Sequence, residues 1–281
     1  MANHAHNMRA DFSATHPGRG FMHSTHPTRP VGVITRGTTA INRLRRCDRW
    51  AAHNPTIRYA LTHTDSALAL DVGYGASYHT TVEWARWLRT IRQDVRVIGL
   101  EIDPNRIQEP RYGVSFELGG FELAGYRPTL VRAFNVLRQY DVADVEQSWR
   151  MVCERLAPGG LFIEGTCDEL GRRSTWILLD KTGPQSLTLA WDPHDMDKPS
   201  DIAERLPKIL IQRNVVGEKI YDLLQLCDQA WQHCAPWSIY GPRVRWHKTR
   251  ELLRQQGLEF TPIRRRVRDN QITFSWSQVC P

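Results

Sequence analysis

The stretch Leu70-Asp71-Val72-Gly73-Tyr74-Gly75 constrains this chain more than any other. Residues 67–72 form a short apolar run that reads as a strand. It ends in Asp-x-Gly-x-Gly and leads into residues 80–92, where Val82, Ala85, Trp87, Leu88 and Ile91 recur at helical spacing. Paired glycines at a strand-to-helix turn let the backbone bend tightly and let a ligand approach the main chain. In an open parallel sheet that turn lies at the carboxyl edge, where ligands bind. A lone glycine pair is also compatible with a plain tight turn, so the rest of the chain has to decide.

The pattern that follows alternates strand and helix. Strands are expected at 95–100, 114–118 and 129–134. A helix over 144–156 turns Val145, Trp149, Val152 and Leu156 inward, and Pro158-Gly159-Gly160 feeds a strand at 161–165. Strands separated by helices imply a parallel sheet with crossovers. Further on, 174–179 and 186–191 read as a hairpin, 200–233 as mostly helical, and 246–256 as a helix stopped by Gly257. Two closing strands are expected at 258–264 and 271–278.

The second strand ends in Glu101, and a carboxylate there can accept both hydroxyl hydrogens of a ribose. Asp103 could compete, but it precedes Pro104 and equally suits the start of the next helical turn. A nicotinamide dinucleotide wants a third small residue in G-x-G-x-x-G. That position is Tyr78, too bulky for close helix–strand packing, which weakens the dinucleotide reading.

Residues 70–75 resemble motif I of class I S-adenosylmethionine-dependent methyltransferases. Residues 97–103 are similar to that family's ribose-binding strand, Pro158-Gly159-Gly160-Leu161 to the turn before its fifth strand, and the last helix and strands to its closing hairpin. The resemblance covers about residues 66–171 and 246–279. It implies an α/β, three-layer, Rossmann-like fold with a seven-stranded, mostly parallel sheet and a reversed last strand, to which the residue pattern adds a helical N-terminal segment and an inserted hairpin and helical cap. S-adenosyl-L-methionine is the implied cofactor. Asp71, Gly73, Tyr74 and Gly75 would flank its methionine portion and Glu101 would hold its ribose. Gly120 and Phe121 stand where the family often places an acid that reads the adenine amine, with Glu122 as a substitute acid and the Phe121 ring as a stacking surface. Asn135 would lie beside the methyl group.

The implied activity is methyl transfer to an acceptor that is a small molecule or RNA. No catalytic base is assigned among Tyr140, Asp168, Glu169, His79, His194 and His247. Asp168 and Glu169 with Asp141 or Asp144 could form an oxygen-rich Mg²⁺ site, but adjacent loop acids are common without metal, and no metal is expected.

The net charge of +7 is uneven: residues 1–66 and 241–281 each hold nine basic and three acidic residues. A polyanion, RNA or a phosphorylated metabolite, could meet the 36–49 segment through Arg36, Arg43, Arg45, Arg46 and Arg49. A nucleic-acid-binding protein without turnover is therefore the second reading, and an NAD(P)-dependent oxidoreductase the third. The six cysteines form no C-x-x-C pair and read as buried thiols. No apolar run is long enough to span a bilayer and no secretory signal opens the chain, so a soluble cytoplasmic protein is expected. The expected domain plan is a disordered leader at 1–30, a helical lid at 31–66, and a catalytic domain at 67–281 with an insert at 172–245. The aromatic residues of that insert, Trp176, Trp191, Trp231, Trp237 and Tyr240, could line a pocket or bind the insert to the sheet.

Overall fold

The computed structural model describes residues 30–35, 37, 39–261 and 270–280. Eight strands form one sheet: β1 Leu68–Val72, β2 Arg96–Glu101, β3 Val114–Leu118, β4 Leu130–Phe134, β5 Leu161–Cys167, β6 Arg173–Asp180, β7 Gly183–Trp191 and β8 Asn270–Ser275. Their spatial order is β3-β2-β1-β4-β5-β6-β7-β8. The first five run parallel, and β6, β7 and β8 are joined antiparallel, so the last strand is reversed relative to the first five.

Helices α1 Arg45–His53, α2 Pro55–Thr62 and α3 His79–Arg89 pack on one face of the sheet. Helices α4 Val142–Arg155, α5 Lys208–Ile211, α6 Lys219–His233 and α7 Pro242–Gln255 pack on the other. The two cores follow from strand alternation: Leu68, Leu70 and Val72 join the α4 side, while Ala67 and Ala69 face the α1 side. Burial on both faces explains why β1 reads as a continuous apolar run.

The Rossmann-like three-layer architecture matches the expected class. The sheet has eight strands rather than seven because the 173–191 hairpin joins it directly: β6 pairs with β5 from Phe162↔Leu179 to Cys167↔Ser174. Aromatic packing secures this arrangement. Trp176 meets Trp50 of α1 at 5.4 Å, and Trp191 meets Trp246 of α7 at 4.8 Å. Trp231 is buried and its Nε1 donates to Asp197 O at 2.7 Å. Trp176 and Trp191 thus pack the hairpin strands against α1 and α7, Trp231 ties the 172–245 segment to itself, and Trp237 and Tyr240 stay exposed. All six cysteines are buried thiols.

One expectation about the 31–66 segment needs correction. Arg46 is buried, not on the solvent face: its Nε donates to Gly171 O at 2.9 Å. The 1–29 part of the expected leader, Arg36, and residues 262–269, which include the end of the expected 258–264 strand, lie outside the described residues. No helix among the described residues is long and apolar enough to cross a membrane.

Candidate active site at the carboxyl edge of the sheet

The carboxyl ends of β1 to β5 bring together the residues singled out above. Gly73 and Gly75 both have left-handed backbones, with φ of 69° and 83°. Each is also required by close approach. A Cβ on Gly73 would lie 2.6 Å from Val136 Cγ2, and one on Gly75 would lie 2.8 Å from Gly37 O. A cavity of about 110 Å³ opens beside this loop, with Asp71, Gly73, Tyr74, Gly75 and Asn135 in its wall.

Glu101 is buried at the tip of β2. Its Oε2 accepts Gly75 N–H at 3.0 Å, and its Oε1 accepts Ile102 N–H at 2.9 Å. The carboxylate therefore ties the glycine loop to the second strand. Asp103 instead caps the turn Pro104–Arg106, accepting Asn105 N–H at 3.0 Å.

Asp71 is directed into the protein. Its Oδ1 accepts Arg132 Nε at 2.9 Å, and its Oδ2 accepts Arg132 Nη2 at 2.6 Å and the Thr81 hydroxyl at 2.7 Å. Arg132 Nη1 also reaches Asp48 Oδ1 at 2.6 Å. Burial pushes the Asp48 carboxyl up to about 7 against the pull of Arg132. Tyr74 hydrogen-bonds the β2–β3 connection, its hydroxyl donating to Arg106 O at 2.9 Å, and burial pushes that hydroxyl up to about 12.

At the end of β3 the arrangement differs from the expectation in one respect. The Phe121 ring belongs to the hydrophobic core and offers no stacking face. Glu122 is the buried acid of this corner. Its Oε1 accepts Gly120 N–H at 2.8 Å, and its Oε2 accepts Val31 N–H at 2.6 Å. Phe121 N–H in turn donates to Val31 O at 3.0 Å. Residues 30–35 thus form a strap across the edge, with Val33 N–H donating to the Tyr140 hydroxyl at 2.6 Å and Arg106 Nη1 to Thr35 O at 2.8 Å. Sequence patterning does not show the strap, because it is held through its own backbone atoms by partners far along the chain.

Asn135, at φ 60°, locks the ends of β4 and β5 together. Its Oδ1 accepts Cys167 N–H at 2.9 Å and its Nδ2 donates to Cys167 Sγ at 3.3 Å. Beyond it lies a larger cavity of about 660 Å³, which shares Thr35, Arg43 and Asn135 with the first. Asp168 and Glu169 line it. The Asp168 carboxylate is engaged by the backbone N–H groups of Leu170, Arg172 and Arg173 at 2.9–3.1 Å. Among the described residues, no three His, Cys, Asp or Glu side chains gather as metal ligands. Of the other candidate bases, His79 Nδ1 lies 2.5 Å from Ser77 Oγ, and His247 pairs with Glu251 at 3.3 Å on the surface.

No protein-family profile and no curated protein matches the chain. Similar solved structures include a putative type II methyltransferase from Anaeromyxobacter dehalogenans, at 15% identity over 63% of this chain and 60% of that one, with a TM-score of 0.35. Magnesium protoporphyrin IX methyltransferase from Synechocystis PCC 6803 is similar at 15% identity over 47% of this chain and 67% of that one, TM-score 0.33. Human N-acetylserotonin methyltransferase is similar at 16% identity over 46% of this chain and 36% of that one, TM-score 0.32. The chain spans 36% of the mitomycin 7-O-methyltransferase it also resembles.

Proposed function

We propose that this protein is an S-adenosylmethionine-dependent methyltransferase acting on a small molecule. The observation that carries the reading is the junction of the left-handed Gly73 and Gly75 loop with the buried Glu101 carboxylate at the carboxyl edge of a Rossmann-like sheet. The chemistry of the donor set fits the cofactor. Glycines without Cβ atoms give main-chain access, Glu101 offers a carboxylate for ribose hydroxyls, and Glu122 beside Phe121 N–H, both engaged by Val31 in this structure, pairs an acceptor with a donor of the kind an adenine edge requires. When bound, the cofactor supplies a sulfonium methyl group for in-line displacement. The protein's part is to orient donor and acceptor and to exclude water. Asp71 acts one step back, holding the loop through Arg132 and Thr81.

The RNA reading has less support. Arg43 Nε donates to Asp168 O at 2.9 Å and Arg46 is buried, so two of the four described arginines of the 36–49 segment serve the protein's own packing.

S-adenosylhomocysteine at a hundredfold excess over its Kd should stabilise the fold by about 2.7 kcal/mol, read as a rise in Tm. Glu101→Gln should weaken that binding by tenfold or more, because a hydrogen bond to a charged group contributes about 1.5–3 kcal/mol. A Tm that ignores the ligand in the unaltered protein would refute the proposal.

A further inference from the structure

We propose that the cavity beyond Asn135 binds an acceptor carrying a carboxylate or phosphate handle, gripped by Arg138 and Arg205. This rests on the methyltransferase reading only in calling the ligand an acceptor. At about 660 Å³ the cavity is of small-ligand size, and it adjoins the glycine-loop cavity through Thr35, Arg43 and Asn135. Its charges are unevenly satisfied. The Asp168 carboxylate is engaged by three backbone N–H groups, and Asp195 pairs with Arg172 at 3.3 Å.

Two guanidiniums are left with open donors. Arg138 Nη1 is shielded from solvent and has no hydrogen-bond partner among the described residues. Arg205 Nε is likewise shielded and makes no hydrogen bond; it stands in ion-pair range of Glu204 Oε1 at 3.4 Å, an oxygen it shares with Arg173 Nη1 at 3.1 Å. Arg138 is held below the usual guanidinium range first by burial and then by the positive charge of Arg205. Leaving shielded charged donors unpaired is unfavourable, and an anion between them would relieve both the missing hydrogen bonds and the repulsion. The planar fork of arginine matches a carboxylate or phosphate, with the methylated atom on another part of the molecule.

Titrations with benzoate, phenyl phosphate and uncharged phenol test this site. Both anions, or the one whose group matches the natural handle, should bind at least tenfold more tightly than phenol. Arg138→Gln and Arg205→Gln should each remove most of that preference while leaving S-adenosylhomocysteine affinity unchanged. Anions that bind no better than phenol, or variants that bind them as well as the original, would overturn the site. Anion binding without S-adenosylhomocysteine binding would leave the site standing and remove only the methyltransferase reading.

A separate observation concerns the strap. We infer that Val31 occupies the adenine position with its own peptide group, so that strap and cofactor exclude each other. Glu122 Oε2 accepts and Phe121 N–H donates, an acceptor beside a donor. Adenine offers the complement, an amino donor beside a ring-nitrogen acceptor, and so do the N–H and C=O of Val31. The fit is close: a Cβ on Gly120 would lie 2.2 Å from Val31 O. The remaining cavity, about 110 Å³, is far below the roughly 300 Å³ at which small-ligand sites begin.

Val31→Pro removes the N–H that Glu122 accepts, and a chain starting at residue 36 removes the described strap up to Thr35. Both should bind S-adenosylhomocysteine about tenfold more tightly than the full chain, the value of one hydrogen bond of about 1.4 kcal/mol. Equal or weaker binding in both would overturn the strap's role. Absence of binding in all three proteins would remove the methyltransferase reading and the strap's role together.

Discussion

Arg132→Met is expected to lower folding stability by about 3–5 kcal/mol, a large share of the roughly 5–15 kcal/mol that holds a typical domain together. Arg132 is fully buried on β4, the central strand beside β1. It pairs bidentately with Asp71 and singly with Asp48, and its guanidinium lies 4.4 Å over the Trp84 ring. Methionine would fill the space but leave two carboxylates facing each other without a counter-charge. Arg132→Lys should recover little, because one ammonium cannot bond both oxygens of Asp71 and also reach Asp48. Adding Asp48→Asn to Arg132→Met should recover part of the loss by removing one of the stranded charges. Urea denaturation of the four proteins checks the series. A midpoint for Arg132→Met close to that of the original would mean that the pairing contributes nothing.

The second large effect is pH-dependent and belongs to Glu164. This residue lies on β5 between Ala133 and Ile177, with Oε2 shielded and unpaired, and burial alone pushes its carboxyl up to about 8. Below about pH 4 the folded and unfolded chains both hold the proton, and the group imposes no penalty. Between there and pH 8 the folded protein retains a proton that the unfolded chain has released, so stability falls as pH rises. Above pH 8 the loss is complete, on the order of 3–5 kcal/mol. Glu164→Gln removes the titration. The variant should gain stability over the original steadily from pH 5 to pH 8, measured as the difference in urea midpoints at each pH. A difference that stays constant across this range would contradict a neutral buried Glu164.

Local patterns made the parallel half of the fold legible. The run at 67–72, the glycine loop and the helix after it each have a short-range signature, and the structure places β1, the turn and α3 within three residues of the expected bounds. Glu101 was legible for the same reason, as the polar end of an apolar strand. What stayed hidden depends on distant partners. Arg132 lies in an otherwise apolar strand, and nothing near it announces Asp48, 84 residues away. The 173–191 hairpin reads as an insert because its sequence carries no sign of which edge it pairs with, and the pairing with β5 is tertiary. Glu122 looked like a substitute at most, because its role depends on the backbone of Gly120 and Val31.

The central claim is that the loop from Asp71 to Gly75, together with Glu101, holds S-adenosylmethionine. Calorimetry of the full chain with S-adenosylhomocysteine, with NAD as a control, tests it most directly. The account predicts one-to-one binding of S-adenosylhomocysteine, loss of most of that affinity in Glu101→Gln, and no heat from NAD. No heat from S-adenosylhomocysteine at about millimolar concentration, where even weak specific sites fill, would contradict it.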